Sequence, residues 1–281
     1  MAVVLQIGNR QVDSDELMNL ISGYQMLPQL LRELVIDEAI AQWEASLGKS
    51  PLSEEDEASA REQFFVQHQI NSDATLQAWL RRYGIAPQRL NALATRTARI
   101  EVFKEATWGP KLESYFLSRK GQLDKVIYSL IRTQDMGIAQ ELYFRALETE
   151  QSFAELARTY SQGPEAQTDG LIGPVELSVP HPTLAQMLSV SQPKQLWPPT
   201  RIGEWVVIVR LERFIPAQMD DPMRRRLLNE LFNTWIEEQV GSINLQPTSA
   251  TLPSEPDMPS ETAPDPSDDA IAVSAPSTTE P

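Results

Sequence analysis

The spacing of apolar residues changes once along this chain of 281 residues, near Asp124, and that change constrains the possible folds more than any other feature. Between Gln25 and Ser46 apolar residues recur at steps of three and four, which is the period of an amphipathic helix. Helix caps and helix-ending glycines continue this pattern up to residue 120. We therefore predict that the first 120 residues are nearly all helical.

Caps and helix breakers give the predicted limits of these elements. Asp13 followed by Glu16 resembles a capping box and predicts a first helix, after a short strand or extended arm over residues 3–7. Later helices are predicted over residues 25–46, 53–69, 72–83 and 87–107. We predict that Pro110 begins a separate short helix, residues 111–119, which ends at Gly121.

After Asp124 the pattern becomes typical of strands. Residues 126–131 are rich in β-branched and aromatic side chains and predict one strand, and residues 204–214 predict the clearest strand of the chain. Between them we predict helices over residues 136–150, 153–160 and 183–190, and extended segments over 171–177 and 196–197. This order predicts a small domain with helices packed on a short sheet.

A last helix follows, with Asp221 as its predicted cap and Pro222 in its first turn. Its apolar face is unusually large and needs a partner, and the helical N-terminal region is the predicted one. The predicted fold class is therefore α+β: a multi-helix N-terminal domain closed by a returning C-terminal helix, plus a small sheet domain.

The C-terminal residues 244–281 have a composition of their own. They hold eight of the 21 prolines and seven acidic residues, but no lysine, arginine or aromatic residue. Such a segment buries too little apolar surface to offset the entropy of ordering it, so a disordered acidic tail is predicted. Without it the net charge falls from −15 to −8, because 39 − 7 leaves 32 acidic residues against 24 basic ones.

Composition also excludes several classes of function. The chain has no basic excess that favours nucleic acid and no apolar window of about 18 residues that spans a bilayer, so we predict neither nucleic-acid binding nor direct membrane insertion. It has no cysteine and only two histidines, so no metal and no cofactor are predicted. The first ten residues lack the features of a secretory signal, and a cytoplasmic location is expected.

Four short motifs follow one another in the region after Asp124. They are Ser152-Phe153-Ala154-Glu155-Leu156-Ala157, Tyr160-Ser161, Gly170-Leu171-Ile172-Gly173-Pro174 and Arg201-Ile202-Gly203-Glu204-Trp205-Val206-Val207. In their order and spacing they resemble the parvulin family of peptidyl-prolyl cis–trans isomerases. In that family a helix with the motif FAELA precedes a glycine-rich strand, and a GxHII strand closes the sheet.

The resemblance covers residues 124–216 and implies an organisation for the whole chain, which most resembles the parvulin-like isomerases of cyanobacteria. The implied parts are a helical chaperone-like domain (1–121), a parvulin-like antiparallel-sheet domain (122–218), a C-terminal helix packing on the helical domain (219–243) and the tail (244–281). The implied partners are unfolded or proline-containing polypeptides, and an export system is a further hypothesis.

The polar positions of the family's active site carry other residues in this chain. The first-strand histidine falls at Ser129 or Leu130, and the last-strand histidine falls at Trp205. The Cys or Asp that follows the second helix falls near Gln162 or Gly163. The candidate catalytic positions are therefore Ser129, Gly163 and Trp205.

A pocket for the proline ring needs apolar walls and no proton transfer, because rotation about an X–Pro bond breaks no bond. The resemblance makes Leu184, Met187 and Trp205 candidates for these walls, with Tyr128 and Ser129 as hydrogen-bonding groups. Leu184 and Met187 also fit as ordinary core residues. The Trp205 ring either lines the pocket or fills it.

Three functions remain open from the sequence. The first is an enzyme, a peptidyl-prolyl isomerase or foldase that acts on proline-containing segments of unfolded or exported proteins. The second is a catalytically impaired parvulin-fold chaperone or secretion accessory that binds polypeptides without isomerising them. The third is a domain that serves only the architecture.

Overall fold

The computed structural model describes residues 3–243, so the predicted acidic tail lies outside the described residues. The helices are α1 (Ser14–Gly23), α2 (Leu27–Leu47), α3 (Glu54–Gln67), α4 (Asp73–Tyr83), α5 (Leu90–Leu123), α6 (Met136–Leu147), α7 (Phe153–Tyr160), α8 (Pro182–Val190) and α9 (Asp221–Gly241). The strands are β1 (Val3–Ile7), β2 (Arg10–Asp13), β3 (Lys125–Thr133), β4 (Leu171–Glu176), β5 (Thr200–Ile202) and β6 (Trp205–Ile215). Within this part of the chain no helix is long and apolar enough to cross a membrane.

The first compact unit ends at Tyr24 and contains a hairpin followed by α1. The predicted extended arm is β1, and it pairs antiparallel with a second strand, β2, that the sequence analysis did not predict. The predicted cap is confirmed, because the Asp13 carboxylate accepts a hydrogen bond of 2.9 Å from the backbone N–H of Glu16.

The second unit, Gln25–Ile243, contains the other elements. Its early helices end largely where the sequence predicts; Gly48 and Gly84, for instance, lie in the left-handed region with φ of 67° and 63°. The predicted break at Pro110 is wrong, since α5 runs without interruption through this residue. The proline removes one backbone hydrogen bond, but Phe103 and Leu112, on either side of it, are both buried in clusters that include α9.

Helix α9 returns to the helical region and completes its core. Leu227 and Phe232 of α9 are buried in two clusters shared with α5, and the second of these clusters also includes Ile36 and Ile40 of α2. The cap of α9 is Asp220, whose carboxylate accepts from the backbone N–H of Met223 at 2.9 Å, so the prediction of Asp221 is wrong by one residue. The predicted fold class, with its returning helix, is confirmed.

The sheet domain has four antiparallel strands in the order β4-β3-β6-β5. Helix α8 contributes to the buried cluster on one face of the sheet, and α6 and α7 contribute to the cluster on the other. The predicted extended segment at residues 196–197 is not a strand; Leu196 forms an isolated bridge with Arg210. The central pair, β3 and β6, therefore carries side chains of both cores.

Asp124 joins the two parts of the second unit. Its carboxylate accepts hydrogen bonds from the backbone N–H of Ala217 at 2.7 Å and from Lys120 Nζ at 2.9 Å. An ion pair between Arg226 of α9 and Glu176 of β4 adds a second link. Both chain crossings between the helices and the sheet are thus fixed by charged groups.

The packing of α9 predicts a large cost for truncating its buried face. We expect Leu227→Ala to lower the free energy of unfolding by about 2–5 kcal/mol, since Leu227 is 0 % exposed and the change leaves a cavity. Leu117→Ala is the matched control, because Leu117 of α5 is 62 % exposed and should change stability by less than about 0.5 kcal/mol. Urea denaturation of both variants measures this difference, and equal losses would contradict the described packing.

Candidate functional site

Four of the predicted site residues meet on the face of the sheet that α8 covers. Tyr128, Leu184 and Met187 are buried in one cluster, at 5 %, 6 % and 8 % exposure, and Trp205 packs against that cluster while half-buried. Trp205 is the first residue of β6 and pairs with Ile202 of β5. The structure thus brings the predicted apolar walls and the tyrosine hydroxyl to one place.

Ser129 does not join them. Successive residues of a strand point to opposite faces, so Tyr128 and Leu130 share the face of α8 while Ser129 points to the other one. The Ser129 hydroxyl donates a hydrogen bond of 2.7 Å to Glu212 Oε1 there. Of the two alignments open for the first-strand position, only Leu130 lies on the Trp205 side.

An ion pair that the sequence analysis missed lies beside this cluster. Arg132 follows Leu130 by two residues and so shares its face; its Nε donates to Glu165 Oε1 at 2.8 Å and its Nη2 to Oε2. Ser161 holds both partners, because its hydroxyl accepts from the Arg132 backbone N–H at 3.0 Å and donates to Glu165 Oε1 at 2.5 Å. The sequence did contain one indication of this pair: Arg132 is a charged residue at the end of a buried strand, and its spacing from Tyr128 places both side chains on the same face.

Gly163 lies directly against this ion pair. A Cβ atom at Gly163 would be 2.1 Å from Arg132 Nε and 2.4 Å from Glu165 Oε2, so any side chain here would displace the ion pair. On its other side the guanidinium faces Trp205, with 5.6 Å between Cζ and the ring centroid. The two candidate positions Gly163 and Trp205 therefore both lie beside the Arg132 side chain.

The charges of the pair stabilise each other. Burial raises the pKa of Glu165, but the hydrogen bonds from Arg132 and Ser161 outweigh it, so this pKa lies below its ordinary value. The hydrogen bond to Glu165 raises the pKa of Arg132. Burial also raises the pKa of Tyr128, which keeps its hydroxyl protonated and able to donate at neutral pH.

Gly170 and Gly173, the two glycines of the motif Gly170-Leu171-Ile172-Gly173-Pro174, allow β4 to lie close to β3. Gly170 has φ of 81°, and a Cβ there would be 2.9 Å from the carbonyl oxygen of Leu130. Gly173 has φ of 110°, and its Cβ would be 2.5 Å from the carbonyl oxygen of Val126. Within residues 3–243, no group of three or more metal-ligating side chains converges at this site or elsewhere.

Comparison with known families agrees with these motifs. Residues 132–213 match the rotamase family, described as the PPIC-type PPIase domain. This segment is therefore a parvulin-type domain, of the peptidyl-prolyl isomerase class, as the motifs predicted. The narrower resemblance to cyanobacterial members stays a prediction. No curated protein matches the sequence.

Several solved structures are similar to the chain. Peptidylprolyl isomerase PrsA from Bacillus cereus is 14 % identical, with a TM-score of 0.48 over 88 % of this chain and 95 % of that one. A SurA-like chaperone of Campylobacter jejuni is 14 % identical, with a TM-score of 0.34 over 87 % and 99 % of the two chains. The parvulin domain of PpiD from E. coli is 24 % identical, with a TM-score of 0.31 over 36 % and 97 %.

The close approach at Gly163 predicts that even a methyl group is harmful there. We expect Gly163→Ala to lower the free energy of unfolding by about 1–3 kcal/mol, because the added Cβ displaces the Arg132 guanidinium. Gly121→Ala is the matched control: its Cβ would meet no atom within 4 Å, and alanine in a helix should stabilise by about 0.5–1 kcal/mol. Opposite signs in chemical denaturation are the expected result; a neutral Gly163→Ala would contradict the geometry.

The lowered pKa of Glu165 predicts a stability difference that depends on pH. At neutral pH we expect Glu165→Gln to cost about 1.5–3 kcal/mol, the value of hydrogen bonds to a charged group. Because the folded pKa lies below the ordinary value of 4.5, this contribution is complete above that value and is lost as the pH falls through the folded pKa. Chemical denaturation of the wild type and of Glu165→Gln from pH 7 down to acid pH tests this prediction. A difference in the free energy of unfolding that stays constant or widens in acid would contradict it.

Proposed function

We propose that this chain accelerates the cis–trans isomerisation of X–Pro bonds in unfolded polypeptides, and that the proline binds on the face that holds Tyr128, Leu184, Met187 and Trp205. The observation that carries the proposal is the family match across residues 132–213, which includes Trp205 and the elements that position it. The gathering of these side chains on one face supports it.

Such a site lowers a barrier of about 18–20 kcal/mol without bond chemistry. The planar amide is the more polar form because its resonance separates charge, so transfer from water to an apolar surface favours the twisted form. A donor aimed at the prolyl nitrogen adds to this, since the nitrogen lone pair becomes available only when the amide twists. A donor on the carbonyl oxygen acts in the opposite sense, because it stabilises the planar form.

Two groups at the site are suitable donors. The Tyr128 hydroxyl stays protonated, since burial raises its pKa, and it belongs to the same cluster as Leu184 and Met187. The Arg132 guanidinium stays charged and faces the Trp205 ring. Either donor serves in place of the histidines that the family carries.

A second candidate function is polypeptide binding without isomerisation. It is favoured by the guanidinium that lies beside both Gly163 and Trp205, the positions to which the resemblance assigns polar active-site residues of the family. In both functions the partner is an unfolded polypeptide. An accessory role beside an export system is a further part of the proposal, and failure to co-purify with any secretion component would count against it. The expected cytoplasmic location stays a prediction.

The activity is tested by following cis-to-trans conversion of short X–Pro peptides with the full chain. We expect acceleration over solvent, and we expect Met187→Ala to reduce kcat/KM about tenfold or more, because loss of roughly 1.4 kcal/mol of apolar contact corresponds to a factor of ten. Val190→Ala is the matched control on the same helix, since Val190 is 67 % exposed and should leave the rate unchanged.

A Trp205→His variant tests the alignment at that position, because a gain in rate would indicate that the family's histidine belongs there. Peptide binding without acceleration by the wild-type chain would support the second function and contradict the first. Absence of both binding and acceleration would contradict both functions.

A further inference from the structure

The ion pair of Arg132 and Glu165 is more than a structural link, because one end of it is at the proposed substrate face. The Arg132 side chain is 27 % exposed, whereas that of Glu165 is 1 % exposed. Of the two groups, therefore, the guanidinium is the one accessible to a ligand, and it faces the Trp205 ring. A peptide bound on this face meets Arg132 first.

The guanidinium keeps donors for a ligand. It has five N–H groups in a planar fork, and Glu165 uses Nε and Nη2. Among the described residues no side chain accepts a hydrogen bond from Nη1. Arg132 can therefore donate to a peptide while its pair with Glu165 stays intact.

The group is also held in place before any ligand binds. The Arg132 backbone N–H binds the Ser161 hydroxyl, the side chain lies against Gly163, and the Trp205 ring lies over the guanidinium. Little side-chain entropy remains to be lost on binding. Gly163 favours this arrangement because a Cβ there would be 2.1 Å from Nε and would displace the guanidinium.

Glu165 changes what Arg132 can recognise. An arginine alone attracts a carboxylate and repels an ammonium group, and a surface of low dielectric strengthens both effects. With an ionised carboxylate on the same guanidinium the sum of the two charges is zero. What remains is a set of directed donors suited to uncharged acceptors of the peptide.

We infer that Arg132 contacts the substrate, and that Glu165 is a positioning residue which makes recognition independent of the charge of the residue before proline. The inference rests on the proposed function, because it places the peptide on the same face. It names the substrate class as X–Pro segments in which X is acidic, neutral or basic alike.

The test is equilibrium binding of three labelled peptides, Ala-Glu-Pro-Phe, Ala-Ala-Pro-Phe and Ala-Lys-Pro-Phe, to the full chain by fluorescence anisotropy. For the wild-type protein we expect the three Kd values to agree within about threefold. For Glu165→Gln we expect the Glu peptide to gain at least tenfold over the Lys peptide, and this gain to shrink as salt screens it. The double variant Arg132→Gln/Glu165→Gln should abolish the charge preference. A general loss of structure would instead abolish the binding of all three peptides.

Glu204→Gln is the matched control, because it removes one exposed negative charge next to Trp205 without touching Arg132, and should create no preference. Should Glu165→Gln fail to fold, Arg132→Gln decides: it leaves the Glu165 charge uncompensated, so we expect weaker binding overall and a gain of at least tenfold for the Lys peptide over the Glu peptide. The inference is overturned by a tenfold charge preference of the wild type, by an unchanged ratio in folded Glu165→Gln, or by no binding of any peptide. Binding as expected without isomerisation contradicts only the proposed activity.

Discussion

The pairing of β3 with β6 is the constraint on which the rest of the structure depends. The two strands are antiparallel from Lys125 opposite Ile215 to Thr133 opposite Val206. The first strand follows α5 directly and the second leads into α9, so the same register that builds the sheet brings the end of α5 beside the start of α9. One ladder thus both forms the sheet domain and closes the helical core. The Asp124 carboxylate, bonded to the N–H of Ala217, joins the two crossings at that end of the ladder.

The same register explains which residues meet at the candidate site. Tyr128, Leu130 and Arg132 are alternate residues of β3, so their side chains lie on the face where Trp205 lies. Glu165 and Met187 are distant from them in the sequence, and only the fold brings them to this face. That these apolar side chains lie close together follows from the elements that the motifs predict, namely an apolar helix, a glycine-rich strand and a closing strand. The sequence predicted the polar part poorly, because an alignment shifted by one residue moves a side chain to the other face of the sheet, as it does for Ser129.

Other errors of prediction share a physical cause, which is that tertiary contacts outweigh local rules. Pro110 is a helix breaker by local chemistry, but α9 packs along α5 on both sides of it and keeps the helix continuous. Glu165 reads as one more acidic residue in a loop, and only the fold places it under Arg132, 33 positions earlier. The helical period and the need of the last helix for a partner were predictable, because both follow from apolar surface that must be buried.

A charge at the proposed site, which would act by removing water from an amide, needs explanation, because an isolated guanidinium would keep its own hydration and oppose the apolar surface around it. Glu165 resolves this conflict. Its carboxylate is almost fully buried and accepts two hydrogen bonds from the guanidinium. The remaining N–H donors of Arg132 therefore lie on a surface without net charge. Trp205 and the Arg132–Glu165 pair are therefore compatible with the proposed desolvating site, since an apolar ring and directed donors lie side by side. Preference for the twisted amide over the planar one then requires a donor directed at the prolyl nitrogen, and no group that titrates near neutral pH is needed.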